Sequence, residues 1–175
     1  ANAFADIGTT VQSSGGRESG SVSTQFLKKH ADKGFELLAL VVQKPAFAQA
    51  DFDRVRKLHL DALKAKEGDP DTLSGQTLVA EVYGADHAYG HPYDGTVAAV
   101  DKLKLASAKK FWADHAGPKA AALVIVGDVT LDEAKALGEK HFGKWKGGSK
   151  TNKPPLAPKA RTATKIFVID FPGAP

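Results

Sequence analysis

His87 and His91, four residues apart in Asp86-His87-Ala88-Tyr89-Gly90-His91, are the two side chains whose spacing could serve metal chemistry. On a helix such a pair shares one face, and two imidazoles there make half of a zinc shell. The surrounding Gly84, Gly90, Pro92 and Gly95 point instead to a loop, where that spacing carries no special meaning. Loop packing is therefore the favoured reading, with direct metal binding as the alternative. The other histidines read as structural. His59 stands mid-helix beside Lys57 and Asp61, at a solvated or groove-edge position, and His30 has no partner at useful spacing. His115 and His141 fall in last helical turns, where a cation complements the helix dipole. Nucleophile chemistry finds no support: Ser13, Ser14, Ser19 and Ser21 lack a G-x-S-x-G elbow. Gly15-Gly16 and Gly147-Gly148 lack the Lys-Ser/Thr of a phosphate loop. Zero cysteines remove disulfides, thiolate catalysis and Cys-based metal sites, and leave the redox compartment open.

The elements that must position these residues are mostly legible. Thr9 to Ser13 and Ser21 to Phe26 read as two short strands, with Gly15-Gly16-Arg17-Glu18 as the turn of a hairpin. Asp32 is the candidate N-cap of a helix near 31–43, whose Phe35, Leu37, Leu38, Leu40, Val41 and Val42 form an apolar stripe that Pro45 stops. Asp51 opens a second helix with Phe52, Val55, Leu58, Ala62 and Leu63 on one face and Arg54, Arg56, Lys57, Asp61 and Lys64 on the other. Gly68-Asp69-Pro70 ends it and starts a third, carrying Leu73, Leu78, Val79 and Val82. After the loop 84–96 come a short helix near 97–103 and a helix from Ser107 to about His115, stopped by Gly117-Pro118. Phe111-Trp112 and Phe142 with Trp145 read as core aromatics. The apolar run Ala120 to Val126 reads as a central strand buried on both faces. Thr130 caps the last helix through the box Thr130-x-x-Glu133, with Leu131, Ala134, Leu137 and Phe142 inward.

A chain of 175 residues, 42% hydrophobic, suffices for one domain with a real core. Its 24 basic and 20 acidic residues give +4, scattered rather than arrayed with aromatics, which argues against a nucleic-acid surface. No apolar run approaches the roughly 18 residues of a membrane span, so no transmembrane segment is expected. With no initiator Met and no charged, apolar leader, the chain reads as an internal fragment. Composition divides it into a domain over 1–146, an interdomain linker over 147–163 rich in Gly, Pro and Lys, and a segment 164–175. That last segment, holding Lys165-Ile166-Phe167-Val168-Ile169-Asp170, is either the first strand of a following domain or a returning strand.

Three landmarks carry a resemblance: Gly90-His91-Pro92-Tyr93-Asp94-Gly95-Thr96, then Leu123-Val124-Ile125-Val126-Gly127-Asp128, then His141-Phe142-Gly143-Lys144-Trp145. With Pro45-Ala46-Phe47, Gly68-Asp69-Pro70 and Phe171-Pro172-Gly173-Ala174-Pro175, the chain resembles the M16 family of zinc metallopeptidases, over nearly its whole length. The resemblance implies an α+β fold, a mostly antiparallel sheet with helices packed on one face. It also implies a clam-like chamber in which a zinc-bearing half and a partner half enclose a peptide. The inverted motif H-x-x-E-H of a catalytic half is absent from the 175 residues. Two helix carboxylates of such a half, seven residues apart, align with Val55 and Ala62 when Phe52 and Pro70 set the register; a one-residue slip would bring Asp61 to the ligand place. Hydrocarbon cannot ligate Zn²⁺. The resemblance thus implies an inactive domain with no catalytic residue and no metal of its own, zinc being carried by the catalytic half or partner. Arg17 and Glu18, in the hairpin turn, are its candidates for lining the substrate chamber, against a favoured reading as structural turn residues. A bacterial, periplasmic protein is implied by the same resemblance. The alternative is a proteolytically silent scaffold or assembly subunit.

Overall fold

Local signals decide where the helices begin, and distant contacts decide what they bury. The computed structural model describes residues 3–148, 150, 157, 158, 160, 162–170 and 172. The chain divides into two compact units, Ala1–Ala48 with Leu105–Thr151, and Gln49–Lys104 with Asn152–Pro175.

In the first unit the expected hairpin forms. β1 (Val11–Gly15) pairs antiparallel with β2 (Gly20–Thr24), Val11 opposite Thr24 and Gly15 opposite Gly20. The Gly16 N–H donates to the Ser19 carbonyl across the turn at 2.8 Å. This is the one sheet among the described residues. α1 (Ala31–Gln43) packs on β2 and buries Gly34, Phe35, Leu37 and Ala39. Phe26 meets Phe35 edge-on, with ring centroids 5.9 Å apart, a favourable aromatic geometry. A Cβ on Gly34 would run into the Phe26 ring, so the close seat of that ring against α1 favours glycine there.

α6 (Leu131–Phe142) packs against α1 and begins with the expected capping box, Thr130 and Glu133 bonding reciprocally. Asp32 is not the cap of α1: His30 holds that position without a side-chain bond. The Asp32 carboxylate instead accepts from Lys140 Nζ and, at 2.8 Å, from His141 Nε2, both on α6. A long-range charge-assisted pair outcompetes the local cap. Leu131, expected inward, is exposed in the first turn of α6.

α5 (Leu105–His115) is tied to α1 by the Trp112 indole N–H, which donates to the Val42 carbonyl at 3.1 Å. Phe111, expected in the core, is exposed and lies over His115 at 4.7 Å. Past α5 the chain folds back tightly, since a Cβ on Gly117 would lie 2.0 Å from the Gly148 carbonyl oxygen. Asp114 accepts from Lys110 and Lys150 at 2.7 and 2.8 Å, and His115 Nδ1–H donates to the Lys150 carbonyl at 3.0 Å. The opening of the expected 147–163 linker is thereby fastened to the end of α5; most of the rest of it lies outside the described residues.

The expected central strand at Ala120–Val126 is a correction. Pro118–Ala120 forms a 3₁₀ turn, and the run beyond it joins no ladder. A strand exists only by hydrogen bonding to a neighbour, and the hairpin does not extend to this segment. Val124 and Val126 are 79% and 92% exposed, whereas Leu123 approaches α6 at Gly138. The run thus keeps a strand's two-sidedness without a partner.

The second unit holds α2 (Gln49–Lys66), α3 (Pro70–Tyr83) and the short α4 (Val97–Asp101). Asp69 caps α3, accepting from the Thr72 N–H at 3.1 Å, and Pro70 occupies the first helical position, where its missing N–H costs nothing. Residues 162–170 join no ladder, but exposure alternates: Ile166 and Val168 stand out while Phe167 and Ile169 are about half covered. The fold is α+β, mostly helical, its sheet a two-stranded antiparallel hairpin.

Gly34→Val should destabilise the first unit by about 2 kcal/mol through overpacking against Phe26. Gly75→Ala, in the open interior of α3, should stabilise by about 0.5–1 kcal/mol. Urea unfolding monitored by circular dichroism separates the two. Lys110 and then Lys150 hold the Asp114 carboxyl down at about 2, from an ordinary 3.8. A lowered pKa means these pairs stabilise fully above pH 3.8 and lose their effect as pH falls through about 2. Lys150→Ala should move the Asp114 carboxyl midpoint upward in an NMR titration.

Candidate functional site

α2 carries the residues on which the metal question turns. Its inward face is made by Phe52, Arg56, His59, Leu60 and Leu63, with Leu63 buried. His59 Nε2 is 2.8 Å from the Asp94 carbonyl; since that oxygen only accepts, the Nε2 carries the proton. Lys66 Nζ donates to the Asp94 carboxylate at 2.6 Å, and Arg56 donates to the carbonyl of Asp101 at 2.9 Å. Arg56 Nε is buried and has no hydrogen-bond partner among the described residues. The Lys66 ammonium holds the Asp94 carboxyl below its ordinary 3.8, against the opposing effect of burial, and Asp94 in turn raises Lys66. Three basic side chains of α2 therefore hold the loop ahead of α4 and the end of α4.

On the outward side an apolar strip stands among exposed charged residues, Asp53, Arg54, Lys57, Asp61 and Lys64. Val55 and Leu58 are 54% and 58% exposed and Ala62 is exposed too, at positions that recur on one side of the helix. The expected inward stripe of Phe52, Val55, Leu58, Ala62 and Leu63 is thus split. Val55, Leu58 and Ala62 cannot themselves ligate zinc, because an isopropyl, an isobutyl and a methyl group offer no lone pair. Asp61 is exposed.

His87 and His91 sit in the loop the sequence indicated. The His87 ring accepts the Tyr89 N–H at Nδ1, 2.9 Å, at the start of a 3₁₀ turn over Ala88–Gly90. Tyr83 lies over His87 at 4.8 Å. His91 Nε2–H donates to the Ala85 carbonyl at 2.6 Å. Each imidazole is committed to loop backbone. Among the described residues no group of three or more His, Asp or Glu side chains converges to hold a metal ion. Arg17 and Glu18 stand at the exposed tip of the β1–β2 hairpin, in the other unit from α2.

Sequence reasoning missed the Asp94 anchor. Its signal was the turn Pro92-Tyr93-Asp94-Gly95, in which Gly95 has φ +83° and presents Asp94 at a sharp bend. The partner Lys66 lies 28 residues earlier, beyond any local pattern.

Known proteins agree with this architecture. Residues 102–174 match the family model of the peptidase M16 inactive domain. An uncharacterized zinc protease of Mycobacterium leprae is 25% identical over 143 residues, 82% of this chain and 32% of that protein. A non-peptidase homolog of Helicobacter pylori is 29% identical over 112 residues, 64% of this chain and 26% of that protein. Among solved structures, a peptidase M16 inactive domain from Pseudomonas fluorescens superposes with a TM-score of 0.78 at 24% identity, covering 91% of this chain and 39% of that one. A protease from Helicobacter pylori gives 0.69 at 20% identity, over 86% and 37%. The chain spans under two-fifths of the length of each of these proteins.

Asp94→Asn should lower the urea midpoint at neutral pH, with the loss vanishing under acid conditions. The sign follows from the lowered Asp94 pKa: its pair with Lys66 stabilises above 3.8 and fades as pH falls through the lower folded value. Urea titrations of both proteins at neutral pH and well below pH 3.8 check it.

Proposed function

We propose that this chain, which matches the peptidase M16 inactive domain over residues 102–174, is the catalytically silent part of a zinc-dependent peptidase. It pairs with a zinc-bearing half and helps enclose and position an extended peptide. The inactive-domain match carries this reading. Support comes from α2, whose residues 55 and 62 stand, in this proposal, where a catalytic half presents carboxylates and here offer only hydrocarbon. Zinc then belongs to the partner half and is absent from this chain. Arg17 and Glu18, on the hairpin tip, are the proposed chamber-lining residues. Residues 1–146 form the M16-like domain, 147–163 the linker, and 164–175 the opening of a following domain or a returning strand. The alternating exposure of Ile166 to Ile169 supports a strand with one side still to be covered.

Similarity to a non-peptidase homolog favours a second reading, a scaffold or assembly subunit without any proteolytic partner. The two separate on whether H-x-x-E-H occurs elsewhere in the same polypeptide or in a partner chain.

The test mixes this chain with a zinc-loaded half carrying H-x-x-E-H from the same source and follows cleavage of an unstructured peptide. The chain alone should cut nothing, and its addition should accelerate chelator-sensitive cleavage by the zinc half at least tenfold. Chelator-sensitive cleavage by the chain alone would overturn the proposal. A stable complex without acceleration would move it to the scaffold reading.

A further inference from the structure

Within the first unit, the end of α1, the middle of α5 and the chain after α6 enclose a cleft of about 360 Å³. Its apolar lining includes Phe47, Trp112 and Trp145, and Lys44, Lys109 and Lys146 stand on it; no acidic residue lines it. The aromatic lining is held by contacts of its own. Trp112 is fixed by its hydrogen bond to Val42, Phe47 meets it edge-on at 6.3 Å, and Trp145 meets Phe142 at 6.3 Å. Phe47 has φ +46°, the one non-glycine residue among those described with positive φ. A bulky side chain in the left-handed region is strained, and such strain gathers where a side chain must be aimed at a ligand.

The three lysines are exposed, and none has a carboxylate within ion-pair distance among the described residues. By contrast, Lys110 and Lys150 in the same unit are both committed to Asp114. An aromatic lining with only positive charge on it complements one chemistry, a large apolar side chain flanked by carboxylates. We propose that this cleft docks an acidic peptide segment through an apolar anchor residue, the anchor lying against Phe47, Trp112 and Trp145 and the flanking carboxylates meeting Lys44, Lys109 and Lys146. The proposal rests on the reading of this chain as a peptide-positioning partner and gives that peptide a site and a composition.

The chain has two tryptophans, and both line the cleft, so indole emission reports its occupancy directly. The probes are acetyl-Glu-Leu-Asp-Leu-Glu-amide, its basic counterpart acetyl-Lys-Leu-Lys-Leu-Lys-amide, and acetyl-Glu-Ser-Asp-Ser-Glu-amide, which lacks the apolar anchor. Titration of the 175-residue chain should give a saturable emission shift with the first peptide only. That affinity should fall with added salt and drop at least tenfold in the variant K44E/K109E/K146E. An equal response to the basic or the anchorless peptide, no saturable shift, or an unchanged affinity in the variant would overturn the proposal. Should the variant fail to fold, the three-peptide comparison on the parent chain decides alone. No zinc half takes part, so a failure here leaves the cleavage experiment standing, and docking without accelerated cleavage would sink the peptidase reading while keeping the cleft.

Discussion

A zinc ion is held by lone pairs, and the outer face of α2 has none to give at residues 55, 58 and 62. The same helix is polar where it turns inward. His59, Lys66 and Arg56 reach the backbone and carboxylate of the loop before α4 and the end of α4. α2 thus helps hold its own unit together with charge and hydrogen bonds, and its exposed side mixes charged residues with the apolar strip of Val55, Leu58 and Ala62.

Exposed apolar surface recurs elsewhere in the chain. Val124 and Val126 in the first unit, and Ile166 and Val168 in the second, stand out from segments whose alternate residues are better covered. Burying such side chains is worth about 1.5–3 kcal/mol each, so covering them would stabilise the chain substantially. The chain spans under two-fifths of its relatives' length.

What the sequence revealed was local. The hairpin turn, the break and new helix start at Gly68-Asp69-Pro70, the Thr130–Glu133 box and the stop at Gly117-Pro118 depend on residues within a few positions of one another, and all appear. What it concealed was decided at a distance. Asp32 reads as a cap because its neighbours allow one, yet Lys140 and His141 claim its carboxylate from the far end of the first unit. Ala120 to Val126 has every local property of a central strand and lacks a neighbour to pair with. The α2 face was misjudged because periodicity counts apolar residues, whereas Arg56 and Lys66 turn inward to meet acceptors on a loop that periodicity cannot see. Val55 and Ala62 lack metal donors in any geometry, a property legible in their residue types alone.

Zinc stoichiometry of the purified chain, by elemental analysis after dialysis against micromolar zinc, tests the silence of this domain most directly. Far less than one zinc per chain is the predicted result, unchanged in a His87→Ala, His91→Ala double variant. One zinc per chain, whether held at that histidine pair or along α2, would contradict it.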